Sequence, residues 1–239
     1  MRPGKAGPGP NTPRQAARGR REDTGEILCL ENETMAAHAQ AAQKPTLFIV
    51  RHGERVDETS HKAAWKAQTP ANRRFDPPLT EQGATQARTA AEFLRSQCFD
   101  RIYASPCART LATAKELSEA LGDLPVTVVP ALAACAAAVK KRGLENLPFL
   151  APTEMARMCP RIDSFGESAP KSFEAACAWV SSQSPQALVV SHREGIRDLA
   201  HEKLKLPYCA VGVFEKGGEE DWVLKALHRN TGELLVSRG

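Results

Sequence analysis

Two runs of this chain, TLFIV (46–50) and ALVVS (187–191), are apolar and rich in β-branched residues, with no polar residue in alternation. A strand with one face in water alternates; one that does not must be covered on both faces. The cover is written in the flanking sequence. Between residues 80 and 98, Ala84, Ala87, Ala91 and Leu94 recur at three- and four-residue spacing, which predicts an amphipathic helix. RIYAS (101–105) reads as a short strand. Pro106 then opens a second helix with Ser105 as its cap, burying Leu111, Ala114, Leu117 and Leu121. VTVV (126–129) is a third strand. A helix near 172–182 precedes ALVVS, and another starts near Glu194. AVGVF (210–214) and WVLKAL (222–227) close the pattern as strands. This alternation predicts an α/β protein of three layers, αβα, with a mostly parallel central sheet and helices on both faces.

At 239 residues, 42% hydrophobic and 25% charged, the chain suits a globular domain with a sizeable core. The formal charge of +4 is unevenly placed: Arg2, Lys5, Arg14, Arg18, Arg20 and Arg21 precede the first acid. Without that segment the remainder is close to neutral, which argues against nucleic acid as a partner. Residues 1–44 are basic and rich in Pro and Gly, lack hydrophobic periodicity, and are expected to be disordered, with the domain at 45–239. Three readings of that segment stay open: a plain tail, an over-extended start with translation from Met35, and an organelle-targeting signal in 1–34, which its prolines and glycines oppose. The sequon at 32–34 reads as chance. The seven cysteines (29, 98, 107, 135, 159, 177, 209) show no C-x-x-C spacing and read as reduced thiols in apolar positions. No apolar run approaches the roughly 20 residues of a membrane span. A cytoplasmic protein without membrane contact is expected.

In a sheet of this kind ligands bind beyond the carboxyl ends of the strands, where helix N-termini also point. The first strand delivers Arg51 and His52 there, with Arg55 following; the second delivers Ser105 and then Arg109; ALVVS delivers His192. Three arginines and two histidines at one sheet edge make a pocket for a multiply charged anion, phosphate above all. Each guanidinium within about 4 Å of a phosphoryl oxygen contributes on the order of 4 kcal/mol of gross attraction at an effective dielectric near 20. Such donors stabilise the charge of phosphoryl transfer. A neutral imidazole in line can attack phosphorus and carry it as phosphohistidine. Taken singly, a histidine at a strand end or an arginine on a first helical turn is more often a solvated polar residue. The joint placement argues otherwise.

Four motifs in order, RHGER, DPPLTEQGATQA (76–87), IYASPCARTLATA (102–114) and VVSHREG (189–195), resemble the histidine phosphatase superfamily, whose fold is phosphoglycerate-mutase-like. The resemblance covers residue 45 to the C-terminus. It implies that His52 is the phosphorylated nucleophile, that Arg51, Arg109 and His192 bind the phosphoryl group with Arg55 assisting, and that no cofactor or metal is needed. RHGERVD with PPLT most resembles the phosphatase domains of the ubiquitin-associated/SH3 proteins that suppress T-cell receptor signalling. The mutases instead carry serine and then tryptophan-asparagine where this chain has Arg55, Val56 and Asp57.

One position departs from the family pattern. Relatives place an acid glutamate after the third strand, and VPALAACAAA (129–138) puts Ala134 there. Asp57, Glu58, Glu145 and Asp163 are the candidate replacements. A general acid is worth ~10²–10⁴ in rate, and its loss matters least for a good leaving group, so slow turnover with a preference for aryl phosphates is expected. The main rival is a catalytically impaired scaffold that binds phosphate or phosphoprotein; a mutase is the further alternative. No cysteine has arginine six positions on, no P-loop motif is present, and the six histidines lack metal-ligand spacing. The segment 54–75, with Trp65, Arg73 and Arg74, and the segment 131–162 are expected to overhang the pocket. An edge strand near the C-terminus leaves oligomerisation open.

Overall fold

The computed structural model describes residues 44–134, 149–166, 172–218 and 221–238. The readings of the N-terminal segment, of Met35, of the sequon, and of Cys29, Cys135 and Glu145 lie outside the described residues. In chain order the strands are β1 (Thr46–Arg51), β2 (Ile102–Ala104), β3 (Val126–Val128), β4 (Ile162–Phe165), β5 (Gln186–Ser191), β6 (Val211–Lys216), β7 (Trp222–His228) and β8 (Leu234–Ser237). The α-helices are α1 (Lys62–Gln68), α2 (Glu81–Leu94), α3 (Ala108–Ala120), α4 (Pro152–Met158), α5 (Phe173–Gln183) and α6 (Arg193–Leu199).

The unalternated strand β1 is buried on both faces, as its composition requires. Leu47 and Ile49 join a core with Ala176, Cys177 and Val180 of α5 and Ile196 of α6. Phe48 and Val50 join the opposite core with Ala87, Ala91 and Leu94 of α2, Leu111 and Leu117 of α3, and Met155 of α4. These are the three layers of an αβα fold. Complete burial of such a leucine or isoleucine is worth about 1.5–3 kcal/mol.

The described strands form one sheet in the order β4-β3-β2-β5-β1-β6-β7-β8. From β4 to β1 the pairings are parallel, whereas β6, β7 and β8 run antiparallel. Four of the seven pairings among the described residues are parallel, so the sheet is mostly parallel as the alternating pattern predicts, with an antiparallel wing added on one side. After α6 the chain stays at the carboxyl edge, where the Ala210 carbonyl accepts from the Arg51 N–H at 3.0 Å, and β6 has to run back from there. This detour brings residues 204–210 beside the tip of β1.

β5 lies between β1 and β2, with Arg51 opposite Ser191 and Ala104 opposite Val190. The three tips singled out from the sequence thus stand on adjacent strands, at the point where strand order reverses. Two helices and two strands escaped the sequence reading. β4 (IDSF) is short and polar, β8 is an edge, and α1 and α4 lie in the two segments expected to overhang the pocket. Part of the second segment is core: Met155 and Cys159 are buried against α2 and α3.

Candidate active site

The tip of β1 is shaped by two glycines. A Cβ on Gly53 would lie 2.4 Å from the Gly83 carbonyl oxygen, and one on Gly83 would lie 2.4 Å from the Glu54 oxygen. RHGER and PLTEQG are thus two sides of one backbone contact. Further bonds clamp it: Thr80 N–H to Glu54 O at 2.9 Å, Val56 N–H to Pro78 O at 3.1 Å, and Thr80 Oγ1 to the Glu54 carboxylate at 2.8 Å. Gly53 N–H donates to Thr113 Oγ1 of α3 at 3.1 Å, tying β1 to the helix that carries Arg109. The glycine of VVSHREG has a similar reason: a Cβ on Gly195 would enter the Phe173 ring at 2.4 Å.

His52 is 4% exposed, and its Nδ1 lies 2.8 Å from the Gly53 carbonyl oxygen. A carbonyl only accepts, so Nδ1 carries the hydrogen and Nε2 keeps the lone pair. Burial holds the His52 pKa well below the usual imidazole range, reinforced by the positive charges of Arg109 and Arg51 and opposed by the Gly53 carbonyl. The imidazole is therefore neutral and in the tautomer that a nucleophile needs.

The His192 ring lies 5.4 Å from that of His52, centroid to centroid. Arg109 Nη2 donates to His192 Nδ1 at 3.2 Å, and His192 Nε2 lies 2.9 Å from Ser105 Oγ. A guanidinium only donates, so neutral His192 carries its hydrogen on Nε2 and gives it to Ser105. Ser105 is thus a partner of His192, and its predicted role as a helix cap is corrected: α3 starts two residues later than Pro106, with its first N–H, that of Ala108, donated to Asp76 Oδ1 at 2.8 Å. Asp76 Oδ1 also accepts from Arg109 Nη1 at 3.3 Å. The positive end of this helix faces an internal carboxylate, which changes the expected field of the pocket.

Arg51 donates through Nη1 to the Leu206 carbonyl at 2.5 Å and lies 4.0 Å above the Tyr208 ring. That ring is 6.0 Å from His52, and its hydroxyl donates to Glu58. Arg55 reaches this group from outside: its Nη2 pairs with Glu58 at 2.9 Å and its Nε with Asp57 at 2.9 Å. Arg51, His52, Arg109 and His192 thus come together at one edge, and Arg55 joins them through Glu58 and Tyr208. Tyr208, Asp76 and Thr113 were missed by the sequence reading, because their partners are far along the chain.

Of the candidate acids, Asp57 is the counter-ion of Arg55. Glu58 is raised by burial, but the Tyr208 hydroxyl and Arg55, Arg51 and Arg193 outweigh this and hold its pKa below the usual carboxylate range. Asp163 pairs with Arg101 at 3.4 Å, and Arg101 stands just before β2, at the opposite end of the parallel strands. Its candidacy is withdrawn. Among the described residues no cluster of His, Cys, Asp and Glu could hold a metal ion, and no helix is long and apolar enough to cross a membrane.

The model of the histidine phosphatase superfamily (branch 1) matches residues 47–227, and the chain belongs to that superfamily. It is 38% identical over 81 residues to Probable phosphoglycerate mutase GpmB of Yersinia enterocolitica, and 36% identical over 81 residues to that of Yersinia pestis. Both stretches cover 34% of this chain and 34% of the relative, about a third of its length. Among solved structures, the ecdysone phosphate phosphatase of Bombix mori aligns with a TM-score of 0.48 at 19% identity, covering 75% of this chain and 92% of that one. The phosphoglycerate mutase of Bacillus anthracis aligns with a TM-score of 0.47 at 16% identity, covering 78% and 93%.

Proposed function

We propose that the protein is a phosphomonoester hydrolase that works through a phosphohistidine on His52 and prefers aryl phosphates. The observation that carries this reading is the buried His52, its Nδ1 hydrogen engaged by Gly53, facing Arg109 and His192. In the first step the Nε2 lone pair attacks phosphorus, and the bond from phosphorus to the leaving oxygen breaks. Arg51 and Arg109 take the equatorial oxygens, with Arg55 assisting from the rim. His192 contributes its Nε2 hydrogen, which Ser105 must then release. In the second step water attacks phosphorus, the P–N bond breaks, and orthophosphate leaves with neutral imidazole restored.

The aryl preference rests on the leaving group. Ala134 stands where relatives carry glutamate, Glu58 is held ionised, and Tyr208, pushed up to about 12 by burial and by Glu58, is a poor acid. A phenol with pKa near ~10 departs without strong acid help; an alkyl alkoxide does not. The likeness of RHGERVD and PPLT to the ubiquitin-associated/SH3 phosphatase domains supports the same choice. A series of phosphate monoesters tests it: log kcat/KM, which reports the step that expels the leaving group, should fall steeply as the leaving-group pKa rises from phenols to alcohols. Serine or sugar phosphates cleaved as fast as aryl ones would refute the preference.

A mutase is the second reading, favoured by the identity to the GpmB proteins. It is opposed by Arg55, Val56 and Asp57 in place of the mutases' residues after the signature. Conversion of 3-phosphoglycerate to 2-phosphoglycerate, followed with bisphosphoglycerate present, decides between the two.

A further inference from the structure

Asp76 opens the DPPLTEQG motif, yet neither the sequence reading nor the steps above give it a task. Its carboxylate is wholly inaccessible, with 0% side-chain exposure. A buried carboxylate is costly unless its charge is met. Here one oxygen, Oδ1, accepts from the Ala108 N–H at 2.8 Å and from Arg109 Nη1 at 3.3 Å. The other, Oδ2, lies 3.5 Å from Arg73 Nη2 on the segment beside the pocket. The guanidinium of Arg109 is planar, so contacts at two of its nitrogens fix its orientation. Those contacts are Asp76 on Nη1 and His192 Nδ1, at 3.2 Å, on Nη2.

We infer that Asp76 is the positioning residue of the pocket: it sets the plane of Arg109 from behind, and through Arg109 the tautomer of His192. The inference rests on the reading of Arg109 and His192 as phosphoryl-binding groups. Asp76 touches no substrate; it works through Arg109. It also offsets part of the arginine's charge, so the pocket binds an oxyanion without the full field of an uncompensated cation. The motif therefore has two tasks a few residues apart, with Gly83 closing the backbone contact at Gly53 and Asp76 aiming the second arginine.

A double-mutant cycle separates this role from plain structural support. Asp76→Asn keeps an oxygen for the Ala108 N–H but replaces a charge-assisted bond to Arg109 with a weaker neutral one. On an aryl phosphate, kcat/KM should fall roughly 30-fold for Asp76→Asn alone and less than threefold when it is added to Arg109→Gln. The same factor in both backgrounds would overturn the inference, since a structural residue costs the same whether or not Arg109 is present. Should Asp76→Asn not fold, Asp76→Ser takes its place, because a serine hydroxyl also caps a helix N–H. Orthophosphate affinity, measured by calorimetry on the same four proteins, needs no turnover. Coupling there, in a protein that forms no phosphohistidine, would sink the catalytic reading and keep this one. Additive effects in an enzyme that depends on His52 would do the reverse.

Discussion

Burial is the main reason His52 resists protonation, and the positive charges of Arg109 and Arg51 add to it. The His52 imidazole therefore stays neutral below the ordinary imidazole pKa of about 6.5. After correction for ionisation of the substrate, the acid limb of kcat/KM should fall below pH 6.5; a limb at or above that value would contradict the electrostatics. Stability follows the same sign. The unfolded chain takes up the proton near pH 6.5 and the folded chain does so only lower. Stability from the neutral state is thus complete above that pH and is lost as pH falls toward the folded value. Urea midpoints measured from pH 7 to pH 5 should drop more for the native protein than for His52→Gln. An equal drop would show that the burial of His52 does not matter. That Arg51, His52, Arg109 and His192 meet could be read from strand tips alone. Asp76 and Tyr208 could not, because the contacts that tie one to α3 lie 32 and 33 residues on, at Ala108 and Arg109, and the carboxylate partner of the other lies 150 residues back, at Glu58.

The strands and helices that build the edge were legible because their patterns are strong. TLFIV and ALVVS pair in register as β1 and β5, and α2 is capped by Thr80, whose hydroxyl accepts from Gly83 N–H at 2.9 Å. The first turn of α3 was misread because its cap comes from Asp76, far outside the local window in which Ser105 looked suitable. The strands of the antiparallel wing were legible but their direction was not, because direction depends on where the chain re-enters the sheet, and residues 200–210 have no periodic pattern. A prediction belongs to the contact between the two motifs. Gly83→Ala puts a methyl group 2.4 Å from the Glu54 carbonyl oxygen, and backbone on backbone cannot yield cheaply. It should destabilise the protein by about 1–3 kcal/mol and lower kcat by moving Gly53 and His52. A Gly83→Ala protein with unchanged urea midpoint and unchanged kcat would show the contact to be looser than described.

The parallel part of the sheet has two ends with different work. Arg51, His52, Ser105 and His192 occupy the carboxyl end, while Arg101, Asp163, Thr127 and Ser164 form a polar network at the other, with Arg101 Nη1 to Thr127 Oγ1 at 2.6 Å. Asp163→Asn should therefore leave kcat within twofold of the native value, and a loss above tenfold would restore Asp163 as the missing acid. The four motifs meet at this carboxyl edge, and the proposed hydrolysis has to proceed there with Ala134, not a carboxylic acid, after β3. The most direct test is a rapid acid-free quench during turnover of an aryl phosphate labelled in its phosphoryl group. The account predicts a protein-bound phosphoryl group, stable in alkali and lost in acid, that is absent from His52→Ala together with turnover. An active His52→Ala protein, or an adduct that survives acid and maps elsewhere, would contradict it.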